Sequence, residues 1–352
     1  MKGRTVALGQ IAGRGAAALI VDGQLEDLLL DPPEDAATAA GAIFRAVADR
    51  PVKGLGGVFV KLPQGRGFLR QAKGVAAGKP LLVQVTGPAE PGKALPVTTR
   101  LLFRSRYCIL TPGAPGLNIA RGIRDEDARA HLAALAQEGM EGADEELGLI
   151  LRSACASAEA EEIAADLAET RALAEAVMAD LDGPPELLLD APDAALSAWR
   201  DWAEPAPDEV DDSPTAFADH GVEEMVDALL SPAVPLPGGA KMFIEPTRAL
   251  IAVDINTGAD TSPAASLKAN IAAARALPRQ LRLRGLGGQI VIDFAPMPKR
   301  DRATLDQVLK AAFRHDGAET ALAGWTPLGN YEMQRKRDRL PLAASLGEGG
   351  AA

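Results

Sequence analysis

The stretch Ala249-Leu250-Ile251-Ala252-Val253-Asp254-Ile255-Asn256-Thr257-Gly258 decides how the chain is read. Its apolar, partly β-branched first half has the character of a buried strand, and the run stops on a carboxylate. After a loop, residues 266–283 read as a helix kinked at Pro278, with Leu267, Ile271, Ala274 and Leu281 on one side and Arg275, Arg279, Arg282 and Arg284 elsewhere. Gly285-Leu286-Gly287-Gly288 ends that helix. A second apolar run, Gln289-Ile290-Val291-Ile292, then delivers Asp293 and Phe294 in the same manner. Two strands joined through a helix therefore each hand an aspartate toward a common edge.

An ionised carboxylate buried beside Ile and Val is costly unless something compensates it, and for two of them the most effective compensator is a cation. Mg²⁺ keeps several waters and is held by one or two carboxylates plus substrate phosphate, a role that suits Asp254 and Asp293. Asn256 falls on the same strand face as Asp254. A lone strand-end aspartate more often caps a helix or opens a turn. The repetition of the device, with an arginine-rich helix between, keeps both readings open.

At this point four segments carry a resemblance. Ala252 through Gly258, Arg279-Gln280-Leu281-Arg282-Leu283-Arg284, Leu286 through Phe294, and Leu328-Gly329-Asn330-Tyr331-Glu332-Met333 resemble, in order and spacing, the catalytic domain of the ribonuclease E/G family. The loop after Gly258 is shorter here, and Ala295-Pro296-Met297 stands where the family usually has another aspartate. The resemblance implies an α+β, multi-subdomain fold: an OB-type β-barrel inserted in an RNase H-like segment, a phosphate-sensor subdomain and a C-terminal DNase I-like α/β catalytic domain. The expected divisions are residues 1–38 and 184–232 for the split RNase H-like part, 39–97 for the barrel, 98–183 for the sensor and 233–345 for the catalytic domain. Residues 346–352 are expected to form a disordered tail.

Composition bounds the possibilities. The chain has 352 residues, 47% of them hydrophobic, and a formal net charge of −11, which excludes bulk attraction to nucleic acid and requires any polyanion site to be local. Basic residues cluster at residues 275–284, at Lys299, Arg300 and Arg302, and at Arg335, Lys336, Arg337 and Arg339, where phosphate contact is expected. Cys108 and Cys155 form no CxxC pair, so neither a disulfide framework nor a zinc site is expected. His131, His220 and His315 are scattered. No apolar run reaches transmembrane length, and the expectation is a cytoplasmic protein without a membrane anchor.

Residues 5–30 read as strands joined by a tight turn, and residues 43–48, 57–60, 67–69 and 80–85 as short strands punctuated by Gly and Pro, suited to a small OB-type barrel. Phe59 and Phe68 are its available aromatics and Lys93 follows. By spacing alone the phenylalanines read either as barrel core, the commoner fate of Phe in a short strand, or as RNA contacts; the family resemblance implies that these three residues contact RNA.

Residues 104–110 read as a strand, residues 125–137 as a helix capped by Asp125, and residues 148–153 as a strand ending in Arg152 and Ser153. On residue types Arg152 reads as a surface ion pair or as a phosphate ligand. The resemblance places Ser105, Ile109, Arg152 and Ser153 in a pocket that senses an RNA 5′-monophosphate. Residues 157–181 read as a scaffold helix with Ser157 as N-cap. Residues 191–237 read as acidic and weakly structured apart from a helix at 222–230. Residues 301–314 read as a helix, and Trp325 with the Tyr331 region as one last strand.

The resemblance implies a Mg²⁺-dependent endoribonuclease that cuts single-stranded RNA, with Asp254, Asn256 and Asp293 as catalytic residues. The alternatives are an RNA-binding adaptor with lost cleavage and a metal-dependent phosphoesterase on another substrate. No zinc-binding CPxC segment is present, so a monomer or weak dimer is expected rather than a zinc-linked tetramer.

Overall fold

The computed structural model describes residues 2–31, 39–52, 56–70, 72, 74–89 and 92–347. Of the expected tail, residues 348–352 lie outside the described residues. The chain divides into two compact units, residues 1–22 with 29–213, and residues 23–28 with 214–352.

The first unit begins with the hairpin β1 (Arg4–Ile11) and β2 (Arg14–Val21), turned through Ala12 and Gly13, both at positive φ. β3 (Gln24–Leu30), whose residues 24–28 are counted with the second unit, follows a second turn at Asp22 and Gly23. The five strands β4 (Ile43–Val52), β5 (Gly57–Lys61), β6 (Arg66–Leu69), β7 (Pro80–Val85) and β8 (Leu95–Thr98) close on one another in the order β4-β5-β6-β8-β7, and β7 pairs back with β4. The pairing of β6 with β8 is parallel and the other four are antiparallel, the connectivity of an OB-type barrel. Phe44, Ala46, Val60, Leu69, Val83 and Val97 fill it. Arg45 is buried outside that core, its guanidinium bound to the Pro184 carbonyl at 2.7 Å and to the carboxylates of Asp180 and Glu186.

Next come β9 (Phe103–Arg104), β10 (Cys108–Pro112), β11 (Leu117–Ile119), α1 (Glu126–Gly139), β12 (Leu147–Leu151) and α2 (Ala160–Ala179), with sheet order β11-β12-β10-β9. Asp125 caps α1 as expected, accepting from the Ala128 N–H. Ser157 does not cap α2. Residues 153–156 spend themselves in a 3₁₀ turn first, and the helix starts after Glu159. Ile163, Leu167, Ala174 and Val177 form its buried stripe.

Residues 191–213 are more ordered than their composition suggests. After β13 (Glu186–Leu189), Asp193 caps α3 (Ala194–Asp201) by accepting from the Leu196 N–H at 2.7 Å, and Ala194 and Ala198 pack with Val6, Ala17 and Leu19. Glu209–Asp211, expected as loop, is strand β14, parallel to β1 with Thr5 opposite Glu209. Three residues at a sheet edge need only backbone partners, so no side-chain pattern announces them.

The second unit carries α4 (Ala216–Asp219), α5 (Val222–Leu230), β15 (Ala233–Pro235), β16 (Lys241–Pro246), β17 (Ile251–Asn256), α6 (Pro263–Leu283), β18 (Gly288–Asp293), α7 (Arg302–Phe313), β19 (Thr320–Trp325), β20 (Tyr331–Arg335) and α8 (Leu342–Ser345). The sheet order is β15-β16-β17-β18-β20-β19. β17 and β18 are parallel neighbours, which requires the crossover that α6 supplies. α6 starts earlier than expected, because Ser262 accepts from the Ala265 N–H and Pro263 occupies the first turn, where its missing N–H costs nothing. It then runs through Pro278 to Leu283 as one helix. Gly285, at φ +62°, turns the chain out of it; a Cβ there would meet the Leu340 carbonyl at 2.0 Å. The expected single last strand is two, β19 and β20, joined by a turn in which the Asn330 carbonyl accepts from the Thr326 N–H.

One face of this sheet is core. Ile251, Val253 and Ile255 on β17 and Ile290 and Ile292 on β18 pack against Ala273, Ala274, Leu277 and Leu281 of α6 and Leu305 and Leu309 of α7. A fully buried Leu or Ile contributes about 1.5–3 kcal/mol each, which makes this layer the anchor of the strand ends. Four of the arginines expected at phosphate, Arg279, Arg282, Arg335 and Arg339, are instead committed internally, whereas Arg275 of α6 is exposed. Arg282 binds Asp316 at 2.9 Å and also Glu26, Arg335 binds Asp316, Arg339 binds Asp27 at 2.5 Å, and Arg279 donates to the Leu25 carbonyl at 3.1 Å. Arg300, by contrast, has 85% of its side chain exposed.

Candidate functional site

The alternation along β17 buries Ile251, Val253 and Ile255 and therefore turns Ala252, Asp254 and Asn256 to the opposite face. The same alternation along β18 turns Gln289, Val291 and Asp293 that way. In the parallel register Asp254 stands directly opposite Asp293, so the two residues are separated by one strand spacing of about 4.8 Å. Both side chains are exposed, which corrects the expectation of buried carboxylates: the Ile and Val neighbours occupy the other face of the sheet. The Asn256 amide donates to Asp254 Oδ2 at 2.8 Å, fixing the carboxylate. Desolvation at the sheet surface, then the Asp293 charge, then that of Glu245 hold the Asp254 carboxyl above the usual carboxylate range.

The same face carries Glu245, whose residue opposes Ala252, and Glu332, which opposes Val291. Among the described residues no group of three or more His, Cys, Asp or Glu side chains gathers closely enough to cage a metal. Two adjacent carboxylates in mutual repulsion, open to solvent, are a donor set that a hydrated divalent cation fits: it removes the repulsion and leaves room for waters and phosphate.

The chain just after Asp293 is pinned from below. Asn270 of α6, completely buried, donates to the Ala295 carbonyl at 2.9 Å and accepts from the Ala295 N–H at 3.0 Å. Phe294, Trp325 and Tyr331 pack beside it, with ring centroids 5.3 to 6.3 Å apart. Asn270 escaped the sequence reading; an amide in the middle of an otherwise Ala-rich helix was the available signal. Asn270→Leu leaves two buried backbone groups unpaired and is expected to destabilise the protein by about 2–4 kcal/mol, checked by urea unfolding.

In the barrel, Phe59 and Phe68 face each other across β5 and β6, with centroids 5.2 Å apart and planes tilted by 57°. Each is half-buried, whereas the residues filling the barrel alternate with them, so neither belongs to its core cluster. Lys93 is exposed in the turn leading into β8, the strand whose Pro96 pairs with Phe68. Pro91, two residues before it, lies outside the described residues.

The third group converges around the end of β12. Arg152 Nη1 donates to the carbonyls of Ser105 at 2.6 Å and Arg200 at 3.1 Å, and Nη2 to Asp201 Oδ1 at 2.9 Å. Ile109 sits on β10, paired with Ile150 of β12. Ser153 is exposed at the start of the 3₁₀ turn. The Ser105 hydroxyl donates to Asp166 and accepts from the Cys108 N–H at 3.1 Å. Arg152 is thus an ion-paired arginine, with one guanidinium nitrogen on an anion and the other on two carbonyls. Asp201 is that anion. Burial alone would raise its carboxyl, but Arg200 and Arg152 hold it below the usual carboxylate range. Arg200 and Asp201 were missed because α3 was; Asp193 followed by Ala194 and Ala198 was the cap-and-stripe signal that would have found it. Cys108 and Cys155 are buried thiols whose burial pushes them up to about 11 and about 12, which makes them inert packing residues.

Among the described residues no helix is long and apolar enough to cross a membrane. The chain is similar to ribonuclease G of Escherichia coli strain K12, with 31% identity over 305 residues that cover 75% of this chain and 61% of the relative. It is similar to ribonuclease G of Salmonella typhimurium, at 30% identity with the same coverage. Ribonuclease E of a Nostoc species aligns at 28% identity, covering 91% of this chain and 54% of the relative. The chain therefore spans about three-fifths of the length of the ribonuclease G relatives. A family model for the Ribonuclease E/G family matches residues 103–214 and 208–338, which take in both the Arg152 cluster and the Asp254 and Asp293 strands, and on that match the chain belongs to the Ribonuclease E/G family.

Proposed function

We propose that the protein is a Mg²⁺-dependent endoribonuclease that cleaves single-stranded RNA, favours a 5′-monophosphorylated end, and serves RNA processing or decay. The observation that carries this reading is the register of β17 and β18, which sets Asp254 beside Asp293 on an open sheet face with Asn256 bonded to the first. Asp254 and Asp293 would hold the metal, whose chemistry when bound is to acidify a water and neutralise the scissile phosphate. Asn256 orients Asp254, and α6 through Asn270 holds the backbone that carries Asp293. The exposed face admits a polyanion, and the exposed Lys299 and Arg300 are available phosphate contacts beyond β18.

In this reading residues 233–345 of the second unit are the DNase I-like catalytic part, β1 and β14 belong to the split RNase H-like part, and the tilted Phe59 and Phe68 pair with Lys93 contacts the strand. Arg152, with Ser105, Ile109 and Ser153, would receive the 5′-phosphate, which then displaces or joins Asp201 in the guanidinium fork.

The test compares cleavage of 5′-monophosphorylated and 5′-hydroxyl single-stranded RNA with Mg²⁺ in the wild type and two variants. Asn256→Ala is expected to lower the rate about 10–100-fold on both RNAs, as loss of a group that orients a metal ligand does. Arg152→Gln is expected to abolish the preference for the monophosphate while leaving the slower 5′-hydroxyl rate within about twofold of wild type. RNA binding without cleavage in the wild type would support the adaptor in place of the enzyme.

A further inference from the structure

Beside the Arg152 cluster, α3 leaves an indole in solvent. Trp199 is 51% exposed, and Leu196, three residues earlier and so on the same side of the helix, is 50% exposed. The packing of α3, which buries Ala194 and Ala198, does not call for an aromatic ring there.

The ring is held in place. The Arg106 guanidinium lies over it at 4.8 Å from the centroid, and Arg106 Nη1 donates to the Trp199 carbonyl at 2.7 Å. The next carbonyl, that of Arg200, accepts from Arg152 at 3.1 Å. Consecutive carbonyls at the end of α3 therefore fix two guanidinium groups side by side, one on the indole and the other in the phosphate site proposed above.

Positive charge is in surplus here. Arg152 and Arg200 share the carboxylate of Asp201, and Arg104, exposed on β9, lies within electrostatic reach of all three. Among the described residues neither Arg104 nor Arg106 forms an ion pair. The other nearby acids have partners of their own: Asp166 accepts from the Ser105 hydroxyl and the Tyr107 N–H, and Glu162 from the Tyr107 hydroxyl. An aromatic face beside unpaired arginines is the combination that holds a single-stranded nucleotide, since the ring takes the base and the cations take the phosphate.

We propose that Trp199, backed by Arg106, is the stacking platform for the 5′-terminal nucleobase of the RNA. The inference rests on the reading of Arg152 as the ligand of the 5′-phosphate: with the phosphate there, the base at the other end of the same ribose reaches the neighbouring indole. Stacking accepts any base, so the platform adds affinity without sequence preference. A base paired within a duplex end cannot leave its own stack to use it without cost, so the platform favours an unpaired terminus.

The test is a fluorescence titration of the full chain, in chelator so that no metal-dependent cleavage occurs, with a short single-stranded RNA carrying a 5′-monophosphate and 2-aminopurine as its first base. Stacking on an indole quenches that base, so its emission is expected to fall on binding. Trp199→Ala, a change at an exposed position, is expected to lose the quench, and Trp199→Phe, which keeps an aromatic face, to retain most of it. The same RNA made abasic at its first position is expected to bind the wild type about tenfold more weakly, and to bind Trp199→Ala as well as the intact strand does. If the wild type prefers the monophosphate to a 5′-hydroxyl strand, yet binds the abasic RNA equally well or keeps its quench in Trp199→Ala, this proposal falls and the phosphate reading stands. If the wild type makes no distinction between the two 5′ ends, both fall. A wild-type dimer that Trp199→Ala converts to a monomer in light scattering, with the quench intact, would make the indole a contact between copies and overturn the proposal.

Discussion

Asp254→Asn is expected to lower the rate of RNA cleavage by on the order of 10³-fold or more, with RNA affinity changed less than about threefold. The substitution keeps the shape of the side chain and its place opposite Asp293, and removes only a charge. A residue that merely started a turn would tolerate this, since an amide replaces a carboxylate there with little loss. A residue that shares a divalent cation would not, because the remaining carboxylate is a single ligand on an exposed face. Asp293→Asn is expected to match it, and the double variant to lose little beyond either single one, as groups acting as one unit do. A rate within about tenfold of wild type in either single variant would remove these residues from the chemistry.

Asp316→Ala is expected to give the largest loss of stability of any single substitution considered, about 3–5 kcal/mol, read as a lower urea midpoint at unchanged slope. The Asp316 side chain has no exposure, and it receives Arg335, itself 2% exposed, on one oxygen and Arg282 on the other. Removing it strands the buried Arg335 guanidinium and takes from Arg282 one of its carboxylate partners, leaving it Glu26, at the junction of α6 and β20. Arg300→Ala, which breaks only the 3.8 Å surface pair with Asp301, is expected to cost less than about 0.5 kcal/mol and serves as the control.

The two predictions together separate what the sequence made legible from what it did not. The strand ends at Asp254 and Asp293 could be read directly, because apolar runs that stop on a carboxylate leave a local mark. Their side-by-side register could not, since it depends on the crossover of α6 and on the alternation that puts Ile and Val on one face and the acids on the other. That same alternation is why the carboxylates proved exposed: β17 and β18 have helices packed on one face in this unit, and the apolar residues that suggested burial serve that face. The barrel was legible from its short punctuated strands, while the placement of Phe59 and Phe68 outside its core needed the strand pairing. The arginines of α6 and β20 misled, because a basic run looks alike whether it meets phosphate or, as here, Glu26, Asp27 and Asp316 from distant parts of the chain. α3 and β14 were overlooked for a different reason: proline and acid dominate the composition of residues 191–214, and only the Asp193 cap is a local signal.

The most direct test of the shared metal is anomalous diffraction from crystals soaked in Mn²⁺, a cation that takes the same oxygen ligands as Mg²⁺. The account predicts one anomalous peak coordinated by both the Asp254 and Asp293 carboxylates, absent from Asp254→Asn crystals treated alike. No peak at that position, or a peak bound by one of the two residues and unchanged when the other is substituted, would contradict it.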